Sequence, residues 1–222
     1  MMKTEDITVV HMGDSITFGQ YLDPMLRWTT LIEERLRQTS PPAQRFRTFN
    51  RGISGETTRM GLERFPQDVQ DLEPDLMTLQ FGLNDCNCWV TDRGAPRVSL
   101  EAFKANLIEM IERARRFGAR QIVLSTNHRT LRHDVLPSGE VYENANERYS
   151  ETIREVAAGS AVLLCDIREA FESFSEAELA ELLLPEPDLL HLSEEGNRVY
   201  FDAIWPHFAR AVENLQEQEI AT

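Results

Sequence analysis

The chain is short of several features that would settle its class at once. No apolar run approaches the roughly 20 residues of a membrane-spanning helix. The opening stretch "MMKTEDITVVHMGDS" has neither the basic n-region nor the apolar length of a secretory signal, so none is expected. Cysteine is scarce, three in 222 residues. Cys86 and Cys88 stand two apart, with no second pair to complete a zinc site or a thioredoxin-type motif. Cys165, inside the apolar run "AVLLCD", reads as a small buried residue. Lys and Arg number 23 against 37 Asp and Glu, a net charge of −14. Nucleic acids and anionic membranes need clustered cations, so neither is expected as a partner. No linker, repeat or low-complexity stretch divides the chain, and no G-x-S-x-G elbow occurs in it. The expectation is a single domain over 1–222, cytoplasmic and reduced, without metal or cofactor. Its oligomeric state is not readable from the sequence.

What is present is rhythm. The apolar fraction of 41% suffices for a buried core. Five short runs, "ITVVHM", "FRTFN", "DLMTLQFG", "RQIVLSTN" and "AVLLCD", have strand length and end at Gly, Asp or Asn. Between them the apolar positions recur at helical spacing. One stripe runs through Leu26, Trp28, Leu31, Ile32 and Leu36 and stops at "SPP". A second runs from Thr57 to Leu72, where Pro66 predicts a kink or a division. A third starts at a Ser99 cap, carries Phe103, Leu107, Met110, Ile111 and Ala114 inward and ends at Gly118. A fourth spans Val141 to Ala158. The tail predicts a helix over Ser175–Leu184, a proline-broken segment "LPEPDLLHLS", and a last helix over Glu194–Gln218 bent at Pro206. Continuous apolar strands separated by helices imply an α/β fold with a parallel sheet covered on both faces.

In such sheets ligands gather beyond the carboxyl ends of the strands. The unusual polar residues fall there: Gly13-Asp14-Ser15, Gly52-Ile53-Ser54-Gly55, Gly82-Leu83-Asn84-Asp85 and Asn127-His128. Ser15 reads either as a nucleophile or as the cap of the next helix. Ser54 is a rival nucleophile. A serine needs a base, and there are five histidines. His11 sits inside a strand, His128 and His133 follow the fourth strand, and His207 lies in the last helix. His191 stands apart, three residues after Asp188, a spacing that lets a carboxylate meet imidazole Nδ1 across one turn. Asn84 either braces its loop or points its amide at a developing oxyanion.

The blocks "GDSIT", "NRGISGET", "FGLND" and "DLLH" resemble, in order and position, those of the SGNH hydrolase (GDSL-type esterase) family, over nearly the whole chain. The resemblance implies a flavodoxin-like three-layer α/β/α sandwich around a five-stranded parallel sheet. It implies a serine esterase with Ser15 as nucleophile and Asp188 and His191 completing the triad. The oxyanion hole would be formed by Ser15, Gly55 and Asn84. The partner implied is a small-molecule ester; short acyl or acetyl groups are favoured because the sequence shows no long apolar surface for a fatty chain. A carbohydrate acetylesterase, a thioesterase, a phosphate-binding flavodoxin-like protein or a non-catalytic small-ligand-binding module are the alternatives. Leu189 stands where the family usually has glycine, so a different turn is expected there. The loop after Asn84 has the bulk of a lid. His128 and Arg129, with Arg132 and His133 beside them, either line the alcohol side of the cleft or form a solvated basic loop on an acidic protein, and Trp89 is a further substrate-binding candidate.

Overall fold

The computed structural model describes residues 6–41 and 44–220. Residues 1–5, on which the absence of a leader was argued, and Pro42 of the first helix break lie outside that range. Five strands form one all-parallel sheet: β1 (Ile7–Gly13), β2 (Phe46–Gly52), β3 (Leu76–Gln80), β4 (Gln121–Ser125) and β5 (Leu163–Cys165), in the order β2-β1-β3-β4-β5. β1 and β3 are buried at every position, as continuous apolar runs require, whereas edge strand β2 is partly exposed along most of its length.

Helices cover both faces. On one side lie α2 (Trp28–Thr39), α6 (Ile167–Glu172), α7 (Glu176–Leu182) and α8 (Glu194–Ile220), all packed against α8. On the other lie α3 (Thr58–Asp68), α4 (Leu100–Arg116) and α5 (Tyr142–Ser160), packed in succession. The one-turn α1 (Ser15–Phe18) follows β1 directly. This is the three-layer sandwich expected from the sequence. Ser99 caps α4 through Ala102 N–H, and Phe103, Leu107, Met110, Ile111 and Ala114 face the core. Pro66 lies inside α3, which runs on to Asp68 rather than dividing at the proline; a separate 3₁₀ turn then spans Gln70–Leu72. α8 runs through Pro206 as one helix. The six-residue α6, capped by Asp166 on Glu169 N–H, is too short to announce itself by periodicity.

The core is continuous across the sheet. Trp28 is buried, stacked on Tyr200 with ring centroids 5.1 Å apart, and its Nε1–H donates to Ile16 O at 3.0 Å. His11 is a core residue: its Nδ1 pairs with Thr78 Oγ1 at 3.0 Å, and burial pushes its pKa down to about 3, so the ring is neutral. Cys86, Cys88 and Cys165 are free and buried. No helix among the described residues is long and apolar enough to cross a membrane.

Candidate active site

Strand register brings the polar loops together. Gly13 pairs with Gly52 on one side and with Gln80 on the other, so the loops leaving β1, β2 and β3 emerge side by side. Chain order reverses about β1, which makes this end the switch point of the sheet. Ile53 N–H donates to Gly13 O at 3.1 Å and ties the second loop to the first.

Ser15 is the first residue of α1, and the cap is its neighbour: Asp14 Oδ1 accepts Ile16 N–H at 2.9 Å. That frees the serine hydroxyl for another partner. Ser15 Oγ lies 3.0 Å from His191 Nε2, and His191 Nδ1 lies 2.7 Å from Asp188 Oδ2. The other oxygen of Asp188 accepts the N–H groups of Leu190 at 3.0 Å and of His191 at 2.6 Å. Partial burial opposes ionisation of Asp188, but these hydrogen bonds outweigh it and hold its carboxyl below the usual value. The Tyr21 ring meets the His191 ring edge-on at 5.3 Å. Ser15, Asp188 and His191 are therefore brought together, although Leu189 replaces the expected glycine. Leu189 adopts φ +56° to make the turn. Ser54 is exposed on its loop, while His191 is turned to Ser15.

Around Ser15 sit groups able to hold an oxyanion. The N–H of Ser15, at the start of α1, has no acceptor within its own helix. Gly55 has φ +79° and an open space where a Cβ would stand, so conformation rather than room calls for glycine there. Asn84 Nδ2 lies 3.4 Å from Asp14 Oδ2, beside Ser15, and its Oδ1 accepts from Arg97 Nη1 at 3.3 Å. Arg97 lies over the Trp89 ring, 4.6 Å from its centroid. A cation on the amide oxygen fixes which way the amide points and polarises its N–H groups. Arg97 was not foreseen, since thirteen residues separate it from Asn84 and no local pattern links them.

Asp14 is fully buried, and burial pushes its pKa up to about 7. The Ile16 N–H pulls the other way, and the nearby Asp85 adds to the rise. Gln80 Nε2 bridges Asp14 Oδ2 at 3.4 Å and Asn127 Oδ1 at 3.3 Å, while Gln80 Oε1 accepts from Thr17 Oγ1 at 3.2 Å. The one trace of Gln80 in the sequence is a polar residue ending the apolar run "DLMTLQ".

Of the predicted substrate contacts, Trp89 is 54% exposed and lines an open groove of about 500 Å³ with Thr57, Met60 and Arg97. His128 does not line the cleft. It is fully buried, its pKa is pushed down to about 4 by that burial, and its Nε2–H donates to Leu190 O at 2.8 Å. Arg129 is turned away too, its Nη1 on Phe174 O at 2.9 Å. Glu143 and Asn146 of α5 hold that loop inward, and the Phe171 ring of α6 lies 5.5 Å from the His128 ring. The loop after Asn84 is pinned rather than loose, through Arg97 N–H to Asn87 O at 2.8 Å and Val98 N–H to Asp85 O at 3.1 Å.

Comparison with known proteins bears on this arrangement. The model of the GDSL-like Lipase/Acylhydrolase family matches residues 11–199, a span that contains Ser15, Gly55, Asn84, Asp188 and His191. The chain is 26% identical over 222 residues to the uncharacterized lipoprotein YqeF of Bacillus subtilis, covering 88% of this chain and 87% of that one. It is 30% identical over 117 residues to the esterase TesA of Pseudomonas aeruginosa, 53% of each chain. Its fold matches that of Axe2, an acetylxylan esterase from Geobacillus stearothermophilus, with a TM-score of 0.72 at 21% identity, over 93% of this chain and 96% of the other.

Proposed function

Since the chain belongs to the GDSL-like Lipase/Acylhydrolase family and is a carboxylic ester hydrolase, we propose that it is a serine esterase that removes short acyl groups through an acyl-enzyme. The observation that carries this reading is the unbroken chain of contacts from Asp188 through His191 to Ser15 Oγ. His191 takes the hydroxyl proton as Ser15 attacks the ester carbonyl, and the ionised Asp188 stabilises the imidazolium that forms. The N–H groups of Ser15 and Gly55 and the Asn84 side chain hold the tetrahedral oxyanion. His191 then protonates the departing alkoxide, and water releases the acyl group from Ser15 by the same route. The crevice beside Ser15 is walled by Ile16, Gly19, Leu22 and His191, and a short acyl group asks the least room there. An acetylated sugar is the second reading, supported by the exposed Trp89 in the groove next to Asn84.

Ser15→Ala is expected to abolish hydrolysis of a chromogenic acetyl ester and labelling by a fluorophosphonate probe, with the circular-dichroism spectrum unchanged. Residual labelling at full rate would place the nucleophile elsewhere. Rates on acetyl, butyryl and octanoyl esters beside acetylated xylo-oligosaccharides separate the two substrate readings.

A further inference from the structure

The turn that joins Asp188 to His191 is not one a leucine adopts readily. Leu189 lies in the left-handed region, where the side chain of an L-residue crowds its own carbonyl. The turn folds the Asp188 carboxylate back onto the N–H groups of Leu190 and His191, and Leu189 closes it. Conformations of this kind persist where the surroundings over-determine them.

The turn's N–H groups are held locally, Asp188 N–H by Pro185 O at 3.0 Å and Leu189 N–H by Leu184 O at 3.2 Å, whereas its carbonyls are held by one short segment from elsewhere in the chain. Arg132 Nε donates to Asp188 O at 2.7 Å, Leu131 N–H to Leu189 O at 3.0 Å and His128 Nε2–H to Leu190 O at 2.8 Å. Three successive carbonyls of the strained turn are thus held by donors from 128–132. The segment is itself anchored from behind. Glu143 Oε2 accepts both Thr130 N–H at 3.0 Å and Thr130 Oγ1–H at 2.5 Å, and Asn146 Nδ2 donates to His128 O at 3.0 Å. Arg168 pairs with Glu143 at 2.9 Å, both nearly out of contact with water.

We propose that the segment 128–132 is a clamp that holds Leu189 in its left-handed turn and so positions Asp188 against His191, with His128 and Arg132 as positioning residues. Its catalytic purpose rests on the serine-esterase reading above, whereas the geometry it enforces can be measured without turnover. The neutral state of His128 suits the part, because its ring keeps one N–H for Leu190 O without bringing a second cation near His191. Arg132 also borders a surface groove of about 460 Å³ with Tyr21, Pro185 and Pro187, so a substrate contact is the competing role that the test must separate.

The experiment compares Arg132→Met in two backgrounds, the native chain and Leu189→Gly, where the left-handed turn carries no steric cost. The downfield proton resonance of His191 Nδ1, identified by its loss in His191→Ala, reads the Asp188 contact directly. Fluorophosphonate labelling of Ser15, and kcat and KM on an acetyl ester, read its consequence. In the native background Arg132→Met should broaden or shift the resonance upfield and lower both the labelling rate and kcat about tenfold, with KM nearly constant. In the Leu189→Gly background the same substitution should cost about threefold or less, because the clamp has less strain to hold. An unchanged resonance, an equal loss in both backgrounds or an effect confined to KM would overturn the clamp. If the resonance behaves as expected while the native protein takes no label, the clamp stands and the esterase reading falls.

Discussion

At the scale of single residues, the site separates three carboxylates by environment. Asp188 keeps its charge because three hydrogen bonds outweigh partial burial, and that charge is what a neighbouring imidazolium needs. Asp14 is buried with its carboxyl pushed up to about 7, and Asp85 up to about 6, in both cases chiefly by burial. The sign for stability follows from linkage. Between the unfolded value near 4 and the folded value near 7, the native state holds a proton on Asp14 that the unfolded state has released, so stability falls as pH rises across that window. Asp14→Asn keeps an N-cap side chain for Ile16 N–H and removes the titration. Its gain in melting temperature over the native chain should therefore widen from pH 4 to pH 7; a gain constant with pH would contradict the burial of this group. On the proposed mechanism Asn84 is an oxyanion donor, so Asn84→Ala should lower kcat on an acetyl ester by about 10²–10³ with little change in KM. Asp14, Asn84 and Asp85 could be read from the strand-end blocks and Asp188 from the block "DLLH" before the last helix. Arg97, which fixes the Asn84 amide, could not.

At the scale of elements, the informative cases are those in which one element completes another. Helix α3 begins without a side-chain cap from Thr57, and Asp85, from the loop after β3, takes the place of one. Its Oδ1 accepts Thr58 N–H at 2.9 Å and Thr58 Oγ1–H at 2.5 Å. Asp85→Ala leaves the Thr58 N–H buried and unpaired, at a cost of about 1–3 kcal/mol. Because Asp85 follows Asn84 in the chain, the same change should also lower kcat. Urea unfolding and steady-state kinetics check the two parts separately. The expectation that His128 and Arg129 would line the cleft failed at this scale. The stretch "HRTLRHD" is polar enough for a solvated loop, yet Glu143 and Asn146 on α5 satisfy its backbone inside the protein. Partners that lie on a later helix leave no mark in the segment they bury.

For the whole molecule, charge and topology act together. A net charge of −14 on 222 residues means self-repulsion in the compact state. Raising salt from about 10 to about 200 mM should therefore raise the melting temperature, because exposed charges further apart than a Debye length are then screened. A fall would mean that surface ion pairs such as Lys104–Glu155 and Arg148–Glu140 contribute more than the excess charge removes. Topology decides where the chemistry sits. The order β2-β1-β3-β4-β5 places the β1 and β3 loops side by side at the switch point, and α8 closes the sheet's other face so that the segment before it reaches Ser15.

The sequence by itself determined the parallel α/β architecture, because strand-length apolar runs and helical stripes are local patterns set by burial. It also determined which strand ends carry reactive residues, and that Asp188 and His191 are close enough in the chain to meet. Only the tertiary structure decided that Ser15 is free of capping, that Arg97 meets the Asn84 amide, and that His128 and Arg132 donate to the carbonyls of the turn around Leu189. Those are contacts between residues far apart in the chain or on different elements, and their hydrogen bonds exist only once packing has excluded the water that would otherwise satisfy each group.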